Sequence, residues 1–381
     1  MKIVQLTTDN REQFRRYDEP EPWFGTAPAA LLAGFAGQPD TEIHVISCVR
    51  QPVRSPEKIG PNIFYHSVVV PKSGWMRTLY YGCIRAVREK IRAIHPDIVH
   101  GQGTERDCAM TAVHSGFPNV LTIHGHMQAI AQAYGAGFGS FHCLAARLET
   151  AALKRTAGVF CNSAYTEKLA APRARKTWQV ANALRPDFFA PVPKKKSAAA
   201  PVLLNVGEIQ PYKQQVELLR CARQLHQHGL KLELHFAGEL NPHSAYGAMF
   251  ARELAAATQA GYARHLGFLS PAQLIAAMDT ADALVHFPTE EAFGLVVAEA
   301  LARNLKLFAA RTGGIVDIAQ NVAGAELFPA TDFTGLENAL ARWLAGNVHT
   351  RQNTATLMRE RYHPETIARR HLEIYHEVLG A

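Results

Sequence analysis

The stretch Ala283-Leu284-Val285-His286-Phe287-Pro288-Thr289-Glu290-Glu291-Ala292-Phe293-Gly294-Leu295-Val296-Val297-Ala298-Glu299 runs from strand into helix and decides how the rest of the chain is read. Ala283 to Phe287 is apolar enough for a buried strand, Pro288 and Thr289 interrupt it, and Leu295, Val296, Ala298 and Leu301 resume at helical spacing. Glu291 is expected in the turn and Glu299 about two turns into the helix, brought back towards the same face by 3.6 residues per turn. A helix start exposes unpaired amides and the positive end of the macrodipole, so one loop offers a phosphate site beside two carboxylates that hold hydroxyl groups.

Working outward, short apolar runs alternate with helical stretches: Lys2 to Leu6, Ile43 to Cys48, Ile98 to His100, Val120 to Ile123 and Val159 to Cys161, then Val202 to Val206, Leu232 to Ala237, Ala283 to Phe287 and Leu305 to Phe308. This is the pattern of α/β domains with parallel sheets covered by helices on both faces. Between the two series lies a stretch rich in proline, lysine and alanine, Pro191 to Pro201, including Lys194, Lys195 and Lys196, which reads as a solvated linker. The expected organisation is a first domain over 1–190, a linker over 191–201, a second domain over 202–362 and a closing helix over 363–381. Each open sheet offers a ligand site at the carboxyl ends of its strands, and a facing pair would form a cleft.

A chain of 381 residues with 48% hydrophobic and 19% charged residues is an ordinary globular protein too long for one core. The six cysteines are scattered with no CxxC pair, which indicates buried thiols in a reducing compartment rather than a zinc site or disulfide framework. Met1-Lys2 leads directly into a strand and no apolar run is long enough to span a bilayer, so a cytoplasmic location is expected. Residues 1–190 hold 22 Lys and Arg against 15 Asp and Glu, while residues 191–381 hold 18 of each, so the whole net charge of +7 sits in the first half. It concentrates at Lys72, Arg77, Arg85, Arg88, Lys90 and Arg92, interleaved with Trp75, Leu79, Tyr80 and Ile84. Two readings of that segment stand side by side: a basic helix lying peripherally on an anionic membrane surface, and a domain helix whose apolar stripe faces a sheet. The chain carries no recognisable nucleic-acid module.

Several segments together resemble the retaining glycosyltransferases of family GT4, glycosyl transferases group 1, with the GT-B fold of two Rossmann-like, doubly wound domains. Glu291 and Glu299 with seven residues between them resemble the family's paired-glutamate signature, followed by Gly313-Gly314-Ile315-Val316-Asp317 and Gly324. Asn205-Val206-Gly207-Glu208-Ile209 with Lys213, and Phe236-Ala237-Gly238, look like the opening of the second domain. Thr122-Ile123-His124-Gly125, Val180-Ala181-Asn182 and the segment from Pro364-Glu365 to Leu379 match first-domain landmarks and the closing helix.

The resemblance implies transfer of a hexose-like unit from a nucleoside-diphosphate sugar to the hydroxyl of a saccharide or lipid-linked acceptor, in cell-envelope polysaccharide or glycolipid synthesis. It implies no cofactor beyond that co-substrate and no metal. Glu299 would accept hydrogen bonds from the ribose. Glu291 would hold a donor-sugar hydroxyl beside the developing cation, and the amides of Phe293, Gly294 and Leu295 would take sugar or phosphate. Gly207 and Lys213 would meet the diphosphate, and His124 a sugar hydroxyl or the reaction centre. Gly25 and Thr26 in Phe24-Gly25-Thr26-Ala27 stand where the family has a glycine-rich turn; they would contact acceptor or phosphate, or begin a helix with Thr26 as its cap. One departure stands out: the family has arginine where this chain has Glu208. Either Glu208 turns away and Lys213 acts with another cation such as Arg185 or Arg311, or the donor phosphates are arranged differently.

Three other classes are weighed against this. A glycosidase also uses two carboxylates, but placed across one bond rather than around a phosphate-binding helix start. A dinucleotide oxidoreductase would need GxGxxG after the first strand, where Thr7-Thr8-Asp9-Asn10 stands. A non-catalytic GT-B-like sugar-binding scaffold accounts for the fold and for Glu208.

Overall fold

Alternating apolar runs become strands β1 (Lys2–Leu6), β2 (Glu42–Val49), β3 (Lys58–Gly60), β4 (Ile63–Val69), β5 (Ile98–Gln102), β6 (Asn119–Ile123), β7 (Gly158–Cys161) and β8 (Thr177–Gln179) of a first sheet. A second sheet holds β9 (Val202–Val206), β10 (Glu233–Ala237), β11 (Ala263–Gly267), β12 (Ala283–His286), β13 (Lys306–Ala310) and β14 (Ala325–Phe328). The computed structural model describes residues 1–133, 135–193, 200–346 and 353–380. Its chain divides into two units, Met1–Pro186 with Arg361–Ala381, and Asp187–Glu360. The first break falls just ahead of the proline-rich stretch; Lys194, Lys195 and Lys196 lie outside the described residues.

Strand order in the first sheet is β3-β4-β2-β1-β5-β6-β7-β8 and in the second β11-β10-β9-β12-β13-β14. Every pairing is parallel except β3 with β4. The chain therefore reverses its winding between β1 and β5 in one unit and between β9 and β12 in the other. These are the switch points at which open α/β sheets take ligands at their strands' carboxyl ends.

Helices of the first unit are α1 (Asn10–Phe14), α2 (Thr26–Ala36), α3 (Tyr81–Ile94), α4 (Asp107–Val113), α5 (Met127–Ala133), α6 (Phe141–Leu153) and α7 (Ala164–Ala170). The second carries α8 (Gln215–Gln227), α9 (Ala245–Gln259), α10 (Pro271–Thr280), α11 (Leu295–Ala302), α12 (Ile315–Ala319), α13 (Phe333–Ala345) and α14 (Ala355–Tyr362), the last running into Arg361. The closing helix α15 (Pro364–Leu379) belongs to the first unit, with proline at its first turn, and packs on α2. It buries Ile367, Ala368, His371, Ile374 and Tyr375, a stripe at helical spacing. No helix among the described residues is long and apolar enough to cross a membrane.

The basic segment differs from the helix expected over Lys72 to Arg92. Lys72–Gly74 and Met76–Thr78 are short 3-10 turns, Leu79 and Tyr80 have positive φ, and the α-helix starts at Tyr81. Trp75 and Tyr80 are buried, and Cys83, Val87 and Ile91 turn into the first unit's core. That apolar stripe packs within the first unit, as the domain-helix reading expects, while Leu79 and Tyr81 stay exposed. Arg85, Arg88 and Arg92 remain exposed.

Candidate active site

In the second unit the chemistry gathers beside the switch point of β9 and β12. After β9, Gly207 takes φ 151° and the chain reaches the 3-10 turn Pro211–Lys213. After β12 comes Glu291. Lys213 Nζ lies 2.6 Å from Glu291 Oε2, and His286 Nε2, at the end of β12, lies 3.2 Å from the same oxygen. The Lys213 and Glu291 side chains are only 13% and 17% exposed, so this is no solvated surface pair. Burial pushes the Glu291 carboxyl up, but hydrogen bonding with His286 and the charge and hydrogen bond of Lys213 outweigh it and hold the group at about 2. Burial pushes His286 down, against the pull of Glu291, and its Nδ1 is buried without a partner.

The cation expected to meet a phosphate and the carboxylate expected to meet a sugar hydroxyl are thus each other's partners here. Sequence reading missed His286. Its signal was a polar residue closing the apolar run Ala283-Leu284-Val285, at a strand's carboxyl end.

The loop after Glu291 is shaped by close backbone approach. Gly313, at φ 49°, lies so near Glu291 that an added Cβ would overlap its carbonyl oxygen, and Gly314 N donates to that oxygen at 3.1 Å. The Gly313-Gly314 turn therefore seats the Glu291 loop. Gly294, at φ 97°, caps α11, and the amides of Leu295 and Val296 precede the helix's first internal bond, from Val297 N to Gly294 O. Phe293 is buried beside this start. Glu299 is the fifth residue of α11, a little over one turn in rather than about two, and is buried. Glu208 faces solvent and accepts from Gln210 Nε2 at 2.7 Å. Arg311 is exposed in this unit, while Arg185 belongs to the other.

In the first unit His124 follows β6. His124 Nε2 lies 3.1 Å from Gln102 Oε1, Gln102 Nε2 donates to Gln5 Oε1 at 2.9 Å, and Gln5 Nε2 donates to Tyr375 Oη at 2.9 Å. Tyr375 Oη also meets His100 Nδ1 at 2.5 Å, and His100 Nε2 meets Thr122 Oγ1 at 2.7 Å. Because Gln102 Oε1 can only accept, His124 carries its proton on Nε2 and presents a bare Nδ1, which is buried with no partner. Desolvation lowers His124 to about 4, so the ring is neutral at pH 7. His126 instead pairs with Arg173, whose Nη1 donates to Glu149 at 3.0 Å; its surroundings are structural.

Gly25 is the N-cap of α2, with Thr26 its first residue, so the expected cap shifts by one and Thr26 does not cap. An added Cβ at Gly25 would meet only Pro28 Cδ at 3.7 Å, so nothing within the protein demands glycine there. Although spacing gave no metal-ligand set, the fold gathers Cys48, Cys83 and Asp107 with ligand atoms within 4.8 Å of one another, buried in the first unit's core.

Residues 189–361 match the model for glycosyl transferases group 1, and residues 30–180 match that for Glycosyltransferase Family 4. No curated protein matches the sequence. Solved structures similar in fold include sucrose-phosphate synthase from Thermosynechococcus elongatus, at 18% identity and TM-score 0.76 over 100% of this chain and 99% of that one. Anabaena HepE in complex with UDP-glucose follows at 16% identity and TM-score 0.73, over 99% and 100%. WaaG, a glycosyltransferase involved in lipopolysaccharide biosynthesis, stands at 14% identity and TM-score 0.69 over the whole of both chains. With one Rossmann-like unit matched by the model for glycosyl transferases group 1, the other by that for Glycosyltransferase Family 4, and the fold shared with these structures, the chain belongs to the GT4-type glycosyltransferases of the GT-B fold.

Proposed function

We propose that the protein transfers a hexose-like unit, with retention, from a nucleoside-diphosphate sugar to an acceptor hydroxyl, without a metal ion. The observation that carries this is a carboxylate, Glu291, held ionised by Lys213 and His286 next to the start of α11. An ionised group there favours positive character on an anomeric carbon, while Lys213 and the α11 amides favour the charge that grows on a departing diphosphate. Glu299 receives the ribose hydroxyls. For a sugar hydroxyl the first unit offers the bare Nδ1 of His124 as an acceptor. The bond from the anomeric carbon to the diphosphate oxygen breaks, the acceptor oxygen bonds the same carbon on the same face, and the acceptor proton passes to the departing phosphate. The structure of HepE with UDP-glucose supports a donor of this type.

Cell-envelope polysaccharide or glycolipid synthesis, at the inner face of the membrane, is the proposed setting. WaaG's part in lipopolysaccharide biosynthesis supports it, as does the exposed basic face of α3. The test is a thermal-shift screen of nucleoside-diphosphate sugars, followed by donor turnover with and without EDTA. A ligand at a hundred times its Kd adds about 2.7 kcal/mol to folding. No response to any donor would leave a sugar-binding scaffold as the better reading, and turnover lost in EDTA and restored by a metal would refute the metal-free mechanism.

A further inference from the structure

Arg106 stands just before α4, in the loop that follows β5, with its Nη1 buried and without a hydrogen-bond partner. Among the described residues no ion pair engages it. Arg50, directly after β2, has a second buried nitrogen without a partner, Nε. Both guanidiniums lie against one ring, that of Trp75, at 4.9 Å for Arg50 and 5.8 Å for Arg106. Trp75 follows β4 and is fixed in place, buried, with Nε1 donating to Val70 O at 3.0 Å.

One indole thus holds two cations at the carboxyl ends of β2, β4 and β5, around the first sheet's switch point. Stacking offsets part of the cost of desolvating a guanidinium but supplies no acceptor for its N–H groups. Glu12 pairs with Arg50, its Oε1 lying 3.3 Å from Arg50 Nη1 while Oε2 accepts from Tyr17 Oη at 2.9 Å and from Arg50 N at 2.8 Å, but this leaves Arg50 Nε and Arg106 Nη1 without an acceptor. Glu105 Oε1 accepts from Gly125 N at 3.1 Å, and burial pushes the Asp107 carboxyl up.

We infer that Arg50 and Arg106, braced by Trp75, form a subsite for a phosphate group carried by the acceptor. This rests on the glycosyl-transfer reading for the word acceptor, and on the residues themselves for the phosphate. Two guanidiniums set around one ring suit an anion that takes hydrogen bonds from more than one direction, as a tetrahedral phosphate does. The first half's surplus of basic residues is in keeping with such a ligand.

The test separates this subsite from the donor site by working in Lys213→Met protein, which removes the phosphate-seeking cation of the second unit. Inorganic phosphate and glycerol 1-phosphate are titrated by thermal shift and tryptophan fluorescence, with acetate at equal ionic strength as the control. Phosphate and its ester are expected to bind Lys213→Met, and to bind at least tenfold more weakly once Arg106→Gln or Arg50→Gln is added. Arg106→Lys, which keeps the charge and loses the fork, should fall between and serves if the glutamine variant does not fold. Unchanged phosphate binding in both arginine variants overturns the subsite, and so does a response to phosphate no larger than that to acetate. Arginine-dependent binding to phosphatidic acid vesicles that exceeds binding of the soluble ester identifies a lipid-borne phosphate, and equal binding a soluble one. Failure of the donor reading would show instead as loss of donor turnover in wild type with phosphate binding intact.

Discussion

Gly313→Ala should cripple catalysis through the backbone of Glu291, and Gly229→Ala gives its measure. Both glycines are left-handed, at φ 49° and 80°. Alanine at either pays the left-handed strain, roughly 1–2 kcal/mol. At Gly229 an added Cβ meets nothing within 4 Å, so strain is the whole effect. At Gly313 the added Cβ would lie 2.7 Å from the Glu291 carbonyl carbon, and closer still to its oxygen. Carbon contacts relax to about 3.5 Å, so the Glu291 loop must retreat by roughly 0.8 Å or more. That movement opens the 3.1 Å bond from Gly314 N to Glu291 O and the 2.6 Å contact with Lys213. A misplacement near 1 Å costs on the order of 100-fold in turnover, or about 2.7 kcal/mol of barrier. Both variants should melt a few degrees lower, about 2–4 °C per kcal/mol for a domain of this size. Only Gly313→Ala should lose turnover of the donor found in the thermal-shift screen. Turnover in Gly313→Ala close to that of Gly229→Ala would refute the idea that this glycine seats Glu291.

Glu291→Ala is expected to abolish transfer with the fold intact, while Glu299→Ala chiefly raises the donor KM through lost ribose contacts; steady-state kinetics with circular dichroism reads both, and near-normal turnover in Glu291→Ala would end its assignment. Acid should weaken the first unit between pH 6.5 and 4. His371 is buried and lowered by desolvation from 6.5 to about 4, so the unfolded chain binds the proton first and stability falls as pH drops through that window. The loss is about 2 kcal/mol at pH 5, and urea unfolding of His371→Gln should show a shallower pH slope than wild type. Liposome binding should rise with anionic lipid, fall with salt, and drop when Arg85, Arg88 and Arg92 are neutralised together; indifference to anionic vesicles at low salt would make α3 ordinary surface.

Legibility followed periodicity. β1 and β9 stand where the apolar runs placed them, and the segment from Pro364-Glu365 to Leu379 announced α15. The strands that were missed, β3, β4, β8, β11 and β14, lie towards or at the sheet edges. One face there is left half open, and polar residues such as His66 and Arg264 break the apolar run. Local spacing placed Glu291 in the turn ahead of a helix start, and the resemblance of the loop after Val206 singled out Lys213. The contact between them was not legible, since it joins residues far apart in the chain across two neighbouring strands. The same holds for the relay from His124 through Gln102 and Gln5 to Tyr375, and for Arg50 with Arg106 at Trp75. Register and topology bring these groups together, and neither is written in local spacing.

The pairing of Lys213 with Glu291 also bears on how the proposed reaction gains rate. Without donor, the two charges neutralise one another in a largely buried site, and breaking such a pair is costly unless another group takes its place. A donor diphosphate is such a replacement for Lys213, since it offers negative charge of its own. Glu291 is then left with His286, which burial keeps largely neutral, and so is short of a positive partner in the bound ground state. The missing charge arrives only as the anomeric carbon becomes cationic. Glu291 would therefore interact more strongly with the transition state than with the substrate, which is the condition for raising kcat rather than lowering KM alone. By the same reasoning Lys213→Met removes two things at once, the diphosphate's cation and the ground-state partner of Glu291. Its loss in kcat/KM should then be smaller than the loss from Lys213→Met in a Glu291→Gln background, because only with Glu291 present does the substitution also remove a pair that donor binding has to break.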